Sequence, residues 1–194
     1  MQKNSLHPSA YGGILLKTRR GRSRGRPLSQ RHSMHLVLRS SKARGAWSFK
    51  RKNNETRIRA ILLKFSQRFE VKILALAVVG NHLHLQIKLS KLAQYQQFIR
   101  AVTAAIAMAV SGASRWKPLK KQARDRFWDH RPYTSIVSTL QYFKNLRDYI
   151  QVNQLEGFGY SRQAARFTHA WNSSWRLAPS RCPGPSKSTV FLGT

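Results

Sequence analysis

Acid is what this sequence has least of: six Asp and Glu residues stand against 36 Lys and Arg, a formal net charge of +30 over 194 residues. The six, Glu55, Glu70, Asp125, Asp129, Asp148 and Glu156, are spread along the chain. A clustered carboxylate site of the kind that holds two metal ions is therefore hard to build. Cysteine is nearly absent as well. Cys182 alone can form neither an internal disulfide framework nor a cysteine-based zinc site. No run of about 18 or more apolar residues occurs, and the basic N-terminal stretch lacks the apolar segment of a signal peptide. The expectation is a soluble, intracellular protein.

What is present in excess is positive charge, and so much of it repels itself unless a polyanion shares the surface. Nucleic acid is the leading partner and an anionic membrane surface the competing one. The hydrophobic content of 41% supports a real core, and the length fits one domain with tails. The domain is expected over residues 32–157, between a basic, disordered arm at 1–31 and a partly disordered extension at 158–194. In the arm, Lys17, Arg19, Arg20, Arg22, Arg24 and Arg26 alternate with Gly, Ser and Thr and show no apolar periodicity. Every charged residue before Glu55 is basic, which favours sequence-independent phosphate contact over a merely solvated tail.

The organising stretch is Val78 to Ile87, an apolar strand with His82 and His84 two residues apart. Alternate strand residues share a face, so the two imidazoles can converge on one object while Leu83 turns into the core. Surface histidines on a half-exposed strand and ligands of a divalent metal are both compatible with this spacing. Gly80-Asn81 is a tight-turn pair, and it joins this strand as a hairpin to the apolar run 71–79. A first strand is read at 33–40, where His35 is a strand-face residue rather than a ligand. A helix follows on Ile58, Ile61, Leu62, Phe65 and Phe69. A second runs over 91–110 on Leu92, Tyr95, Phe98, Ile99, Val102 and Ile106, ending at Ser111-Gly112. A short strand at 134–138 precedes a third helix at 140–153, with Leu140, Phe143, Leu146 and Ile150 inward. On its margin Asn145, Tyr149 and Asn153 lie four apart. Tyr149 is there either a core residue with a wet hydroxyl or a nucleophile. The order strand, helix, hairpin, helix, strand, helix predicts an α+β fold, a ferredoxin-like antiparallel sheet with helices on one face.

Aromatic residues among basic neighbours suit single-stranded nucleic acid. Trp116 stands with Arg115, Lys117, Lys120 and Lys121, and Trp47 and Phe49 can either stack on bases or plug the core. Phe127 and Trp128 read as core. Trp171 and Trp175, four apart, read as one helical anchor packed on the domain.

Two of these stretches together resemble a known family. His82-Leu83-His84 matches the His-hydrophobic-His motif of the HUH endonucleases, and Tyr149-Ile150-Gln151-Val152-Asn153 matches their single catalytic tyrosine with its metal-binding amide four residues on. Arg126-Phe127-Trp128-Asp129-His130 and Asp148-Tyr149-Ile150, with Asn153, look like segments of the REP-associated tyrosine transposases and their single-tyrosine insertion-sequence relatives. The resemblance covers residues 33–157. It departs at Asn81, where many relatives carry an acid, and at Gln154, where the REP-associated group often has proline. It implies the HUH fold, a metal (Mg²⁺ or Mn²⁺) on His82, His84 and Asn153, and Tyr149 as nucleophile. The implied activity is cleavage and rejoining of single-stranded DNA near hairpins through a 5′-phosphotyrosine, in a bacterial cytoplasm at the nucleoid, by a monomer or homodimer. Two other readings use the same scaffold without catalysis: a basic RNA-binding or ribosome-associated protein, and a domesticated binder of hairpin DNA.

The arm can be tested directly. Deleting residues 1–30 removes Lys3, Lys17, Arg19, Arg20, Arg22, Arg24 and Arg26. The salt dependence of single-strand binding is then expected to flatten by about 0.7 in log–log slope for each phosphate that the shortened chain no longer neutralises. Binding titrations at several salt concentrations that give an unchanged slope would show that the arm does not touch the nucleic acid.

Overall fold

The computed structural model describes Tyr11–Gly12, residues 27–114 and residues 126–177. Strand β2 (Ser33–Arg39) sends Met34, Leu36 and Leu38 to one face, and β4 (His82–Leu89) sends Leu83, Leu85 and Ile87 to the same face. The two strands pair antiparallel, with Met34 opposite Ile87, Leu36 opposite Leu85 and Leu38 opposite Leu83. These six side chains are buried and form the floor of the main core. Helix α1 (Lys52–Arg68) lays Ile58 and Leu62 on that floor, and α2 (Leu92–Ser111) lays Tyr95, Phe98, Val102, Ile106 and Val110 on it. Gly112, at φ 71°, ends α2 in the left-handed conformation that glycine adopts without steric cost, as the Ser111-Gly112 pair predicts.

The sheet is completed by β1 (Tyr11–Gly12), β3 (Val71–Val78) and β5 (Tyr133–Val137) in the order β1-β5-β2-β4-β3, every neighbouring pair antiparallel. Without β1, this is the ferredoxin-like order expected from the sequence. Strand β1 corrects the reading of residues 1–31 as wholly unstructured, since Tyr11 pairs with Ser135 and Gly12 with Thr134. The hairpin tip is clasped from outside: Phe49 N–H donates to Gly80 O at 2.9 Å and Ser40 N–H to Asn81 O at 2.9 Å. Phe49 is buried, and Trp47, Phe127 and Trp128 pack against the same cluster, so these aromatics plug the core. Trp128 Nε1–H also donates to Thr103 O at 3.0 Å.

Helix α3 (Leu140–Gly157) overturns part of the expected arrangement. The helices α1 and α2 do share one face, but α3 packs on the other, where Leu146 and Ile150 meet Ala77 and Val137 in a separate apolar cluster. The physical reason is that α1 and α2 already fill the first face, whereas Ala75 and Ala77 present small side chains on the second and let a helix approach. Thr139 caps α3, its Oγ1 accepting from Tyr142 N–H at 3.1 Å. Leu140, expected inward, is 70% exposed at the first position of α3, ahead of the first residue of the helix that is buried, Leu146. Beyond it, α4 (Arg162–Leu177) packs on α3. Its Trp171 is 55% exposed and stacked on Phe167 of its own helix, at 6.3 Å between ring centroids, while the side chain of Trp175, the other half of the expected anchor, lies outside the described residues.

The last turn of α3 is fastened to the end of β3. Val78 N–H donates to Gln154 Oε1 at 2.8 Å, and a Cβ at Gly157 would stand 2.8 Å from Val78 O. Helix and strand touch here backbone to backbone. Gly157→Ala is therefore expected to cost roughly 1–3 kcal/mol of stability, the usual range for overpacking a site that cannot relax. Urea denaturation of the two proteins measures it, and equal midpoints would place the end of α3 away from β3.

Candidate active site

The face of β4 turned away from the main core carries His82, His84 and Gln86, and the same face of β2 carries His35, Val37 and Arg39. Helix α3 covers this face and brings Tyr149 to it. The ring centroids of His82 and His84 are 4.8 Å apart at 85°, and Tyr149 stands edge-on to His84 at 5.3 Å and 86°. His35 lies edge to edge with His84, ring centroids 5.5 Å apart and planes inclined by 21°, and its ring is 6.4 Å from that of Tyr149. Of the residues singled out by sequence, the structure thus brings His82, His84 and Tyr149 together. Asn153 sits one helical turn beyond Tyr149, buried, with its Nδ2 donating to Tyr149 O at 2.7 Å. Arg19, Arg20, Arg22, Arg24, Arg26, Arg115, Trp116, Lys117, Lys120 and Lys121 lie outside the described residues, as does Cys182.

The hydrogen bonds say which nitrogens keep a lone pair. His82 Nδ1 lies 2.8 Å from Asn81 Oδ1. An amide oxygen only accepts, so the proton is on Nδ1 and Nε2 is left as the free donor of electrons. Asn81 thereby orients His82 as a carboxylate would, without the charge. His84 Nε2 is buried and has no partner among the described residues, an arrangement that burial disfavours unless something binds there. In Asn153 the amide nitrogen is engaged with the helix, which leaves Oδ1 as the atom available to a cation.

Burial holds these rings neutral. It pushes His84 down to about 3, with the neighbouring His82 and His35 adding to the effect, and pushes His35 down to about 4. His82 is lowered as well, by burial first and by the Arg39 guanidinium second. Neutral imidazoles are the form that ligates metal. Among the described residues no three His, Cys, Asp or Glu side chains stand close enough to hold an ion. The orphaned Nε2 of His84 and the free Nε2 of His82 are of the chemical kind that a cation at this site would need.

Beside Tyr149 a cavity of about 300 Å³ opens between α3 and α4, lined by Asp148, Tyr149, Val152, Arg162, Arg166 and His169. Tyr149 is 41% exposed, so its side chain is not sealed in the core. The sequence does not point to this cavity, and it reads His35 as a strand-face residue without its contact to His84. The signal for His35 was available, because Met34, Leu36 and Leu38 alternate with it and so send it to the face opposite the main core.

The arrangement is matched by a family. Residues 29–153 fit the family model described as transposase IS200-like, which covers more than half of the chain. The chain belongs to this family. Among solved structures, a REP-associated tyrosine transposase bound to a REP hairpin is 14% identical, with a TM-score of 0.57 over 88% of this chain and 98% of that one. That likeness is one of fold. A Deinococcus radiodurans protein described as a transposase is 15% identical, with a TM-score of 0.43 over 70% of this chain and 98% of that one. No curated protein matches the chain. Membership puts the transposase class ahead of the RNA-binding reading of the same scaffold. No helix among the described residues is long and apolar enough to cross a membrane.

The lowered histidines give this IS200-like transposase an expected pH dependence. His35 and His84 resist protonation when folded and accept it near their ordinary value of 6.5 when unfolded. Stability they contribute is present above 6.5 and is lost as pH falls toward 4, by about 1.4 kcal/mol per pH unit for each imidazole. Urea denaturation of metal-free protein between pH 7 and pH 4.5 measures the slope, which replacing His84 by Phe should roughly halve. A flat profile would mean that these rings are solvated.

Proposed function

We propose that this transposase is a metal-dependent single-stranded DNA endonuclease and strand transferase whose nucleophile is Tyr149. The observation that carries the reading is the approach of Tyr149 to His84, 5.3 Å between rings, beside the neutral pair His82 and His84. A Mg²⁺ or Mn²⁺ held by His82, His84 and the Asn153 amide would offset the phosphate's charge and polarise its phosphorus. The amide and imidazoles are also compatible with softer first-row metals. Tyr149 Oη gives up its proton to solvent and attacks the phosphorus, the bond to the 3′ oxygen breaks, and that oxygen takes up a proton from solvent to leave as a 3′-OH. The protein then carries a 5′-phosphotyrosine. Because one phosphodiester is exchanged for another, a 3′-OH can reverse the step and rejoin the strand.

Single-stranded DNA beside a hairpin is the proposed substrate. The similar fold of a transposase bound to a REP hairpin supports it, as does the net charge of +30. The cavity between α3 and α4 gives the strand a basic wall next to the nucleophile through Arg162 and Arg166. A protein that works on such DNA is expected at the bacterial nucleoid.

Tyr149→Phe keeps the ring and deletes the atom the reading requires. With Mn²⁺ and a 3′-labelled hairpin substrate, label is expected to stay on the wild-type protein through denaturing electrophoresis. Tyr149→Phe should lose this by about three orders of magnitude or more while binding DNA normally. His82→Ala and His84→Ala should likewise lose cleavage and keep most affinity, which rests on Lys and Arg. Equal labelling of Tyr149→Phe moves the nucleophile elsewhere, with Tyr142 next on the same helix. Full cleavage in EDTA removes the metal. DNA binding with no cleavage by the wild type leaves a hairpin-DNA binder.

A further inference from the structure

His84 can ligate a cation through Nε2 only if its ring proton sits on Nδ1, and that proton needs an acceptor. The atom facing Nδ1 is His35 Nε2, at 3.2 Å. One of these two nitrogens must be unprotonated for the contact to be a hydrogen bond at all. The alternative tautomer, with His35 Nε2–H donating, would leave His84 Nε2 carrying a buried proton with no acceptor, since that atom has no partner among the described residues. The strand register fixes the contact: His84 lies opposite Val37, and His35 is two residues along β2 on the same face.

We infer that His35 is a positioning residue for the metal site, accepting the Nδ1 proton of His84 through its own Nε2 and so turning the Nε2 lone pair of His84 toward the cation. The inference rests on the metal-site reading above. It makes the two ligand histidines differ in what orients them: Asn81 Oδ1 serves His82 from the neighbouring residue, and His35 serves His84 from across the sheet. The two rings are inclined by only 21° with centroids 5.5 Å apart, the edge-to-edge geometry of an in-plane N–H···N bond, and Tyr133 borders His35 edge-on at 6.1 Å. His35 also borders Tyr149 at 6.4 Å, so one ring touches both a proposed ligand and the proposed nucleophile.

The test uses the full chain, metal binding and two replacements. His35→Phe keeps an aromatic ring and removes the acceptor, while His35→Gln sets an amide oxygen near the place of Nε2. Mn²⁺ affinity, read by calorimetry or by loss of the free-ion EPR signal, is expected to fall about 10- to 100-fold in His35→Phe. His35→Gln is expected to retain most of it, which a merely structural role for the ring would not predict. With a diamagnetic divalent ion, long-range ¹H–¹⁵N spectra should show His84 protonated on Nδ1 and metal-shifted on Nε2. Thermal unfolding of both variants, compared with wild type, separates weakened binding from a damaged fold. Unchanged Mn²⁺ affinity in a folded His35→Phe protein, or a His84 proton on Nε2, overturns the inference. A wild type that binds Mn²⁺ no better than the His82→Ala, His84→Ala double variant overturns the proposed metal site itself, and this inference with it.

Discussion

The antiparallel register of β2 on β4 is the constraint on which the site depends. Leu83, Leu85 and Ile87 are buried under α1 and α2, and they fix the face on which the alternate residues emerge. A slip of one residue would carry the leucines to the α3 face and the histidines into the main core, where unpaired imidazoles are strongly disfavoured. The hydrophobic effect therefore aims the histidines. No polar interaction is needed to choose their direction, and polar interactions only set their tautomers.

The second face is built on a different principle. Its apolar cluster is small, made of Ala77, Val137, Leu146 and Ile150 with Ala75, Tyr142 and Phe143 at its edge. Such a patch holds α3 by its apolar contacts alone, and the histidines lie beside it, buried or half-buried. The end of α3 is then fixed by Gln154 and Gly157 against Val78, the residue opposite Leu83 in the hairpin. One strand pair thus anchors both sides of the site: β4 supplies the imidazoles, and β3 holds the helix that carries Tyr149 and Asn153.

Much of this was legible because it is periodic. The spacing of Ile58, Ile61, Leu62 and Phe65, the glycine after α2 and the Gly80-Asn81 turn each encode a local geometry that one sequence displays. His82 and His84 share a face for the same reason, and Tyr149 and Asn153 neighbour each other by helical spacing. What was not legible is relational. The side of the sheet that α3 takes depends on α1 and α2 having filled the other, and the meeting of His35 with His84 depends on pairing across 49 residues. The placement of α4 beside Tyr149 is of the same kind, because its strongly basic amphipathic sequence names no partner face. Trp171 illustrates the limit, since its spacing to Trp175 suggested an anchor while the ring lies half in solvent.

The scarcity of acid acquires a physical meaning at the proposed site. A divalent ion held by carboxylates has its charge largely cancelled by its own ligands, whereas one held by two neutral imidazoles and an amide keeps both positive charges for the substrate. Such a ligand set binds the ion more weakly by itself, since no anionic ligand opposes the loss of the ion's hydration. A phosphodiester that approached would then supply the missing negative charge, so at the proposed site metal and DNA would each raise the affinity for the other, as reciprocal linkage requires. The same substitution appears one residue upstream, where Asn81 orients His82 with an amide in place of an acid. A carboxylate there would add a negative charge beside the phosphate path, while the amide orients the ring and leaves the local field positive. In a chain with a net charge of +30 this would keep the field at the proposed nucleophile aligned with the field that would gather a polyanion.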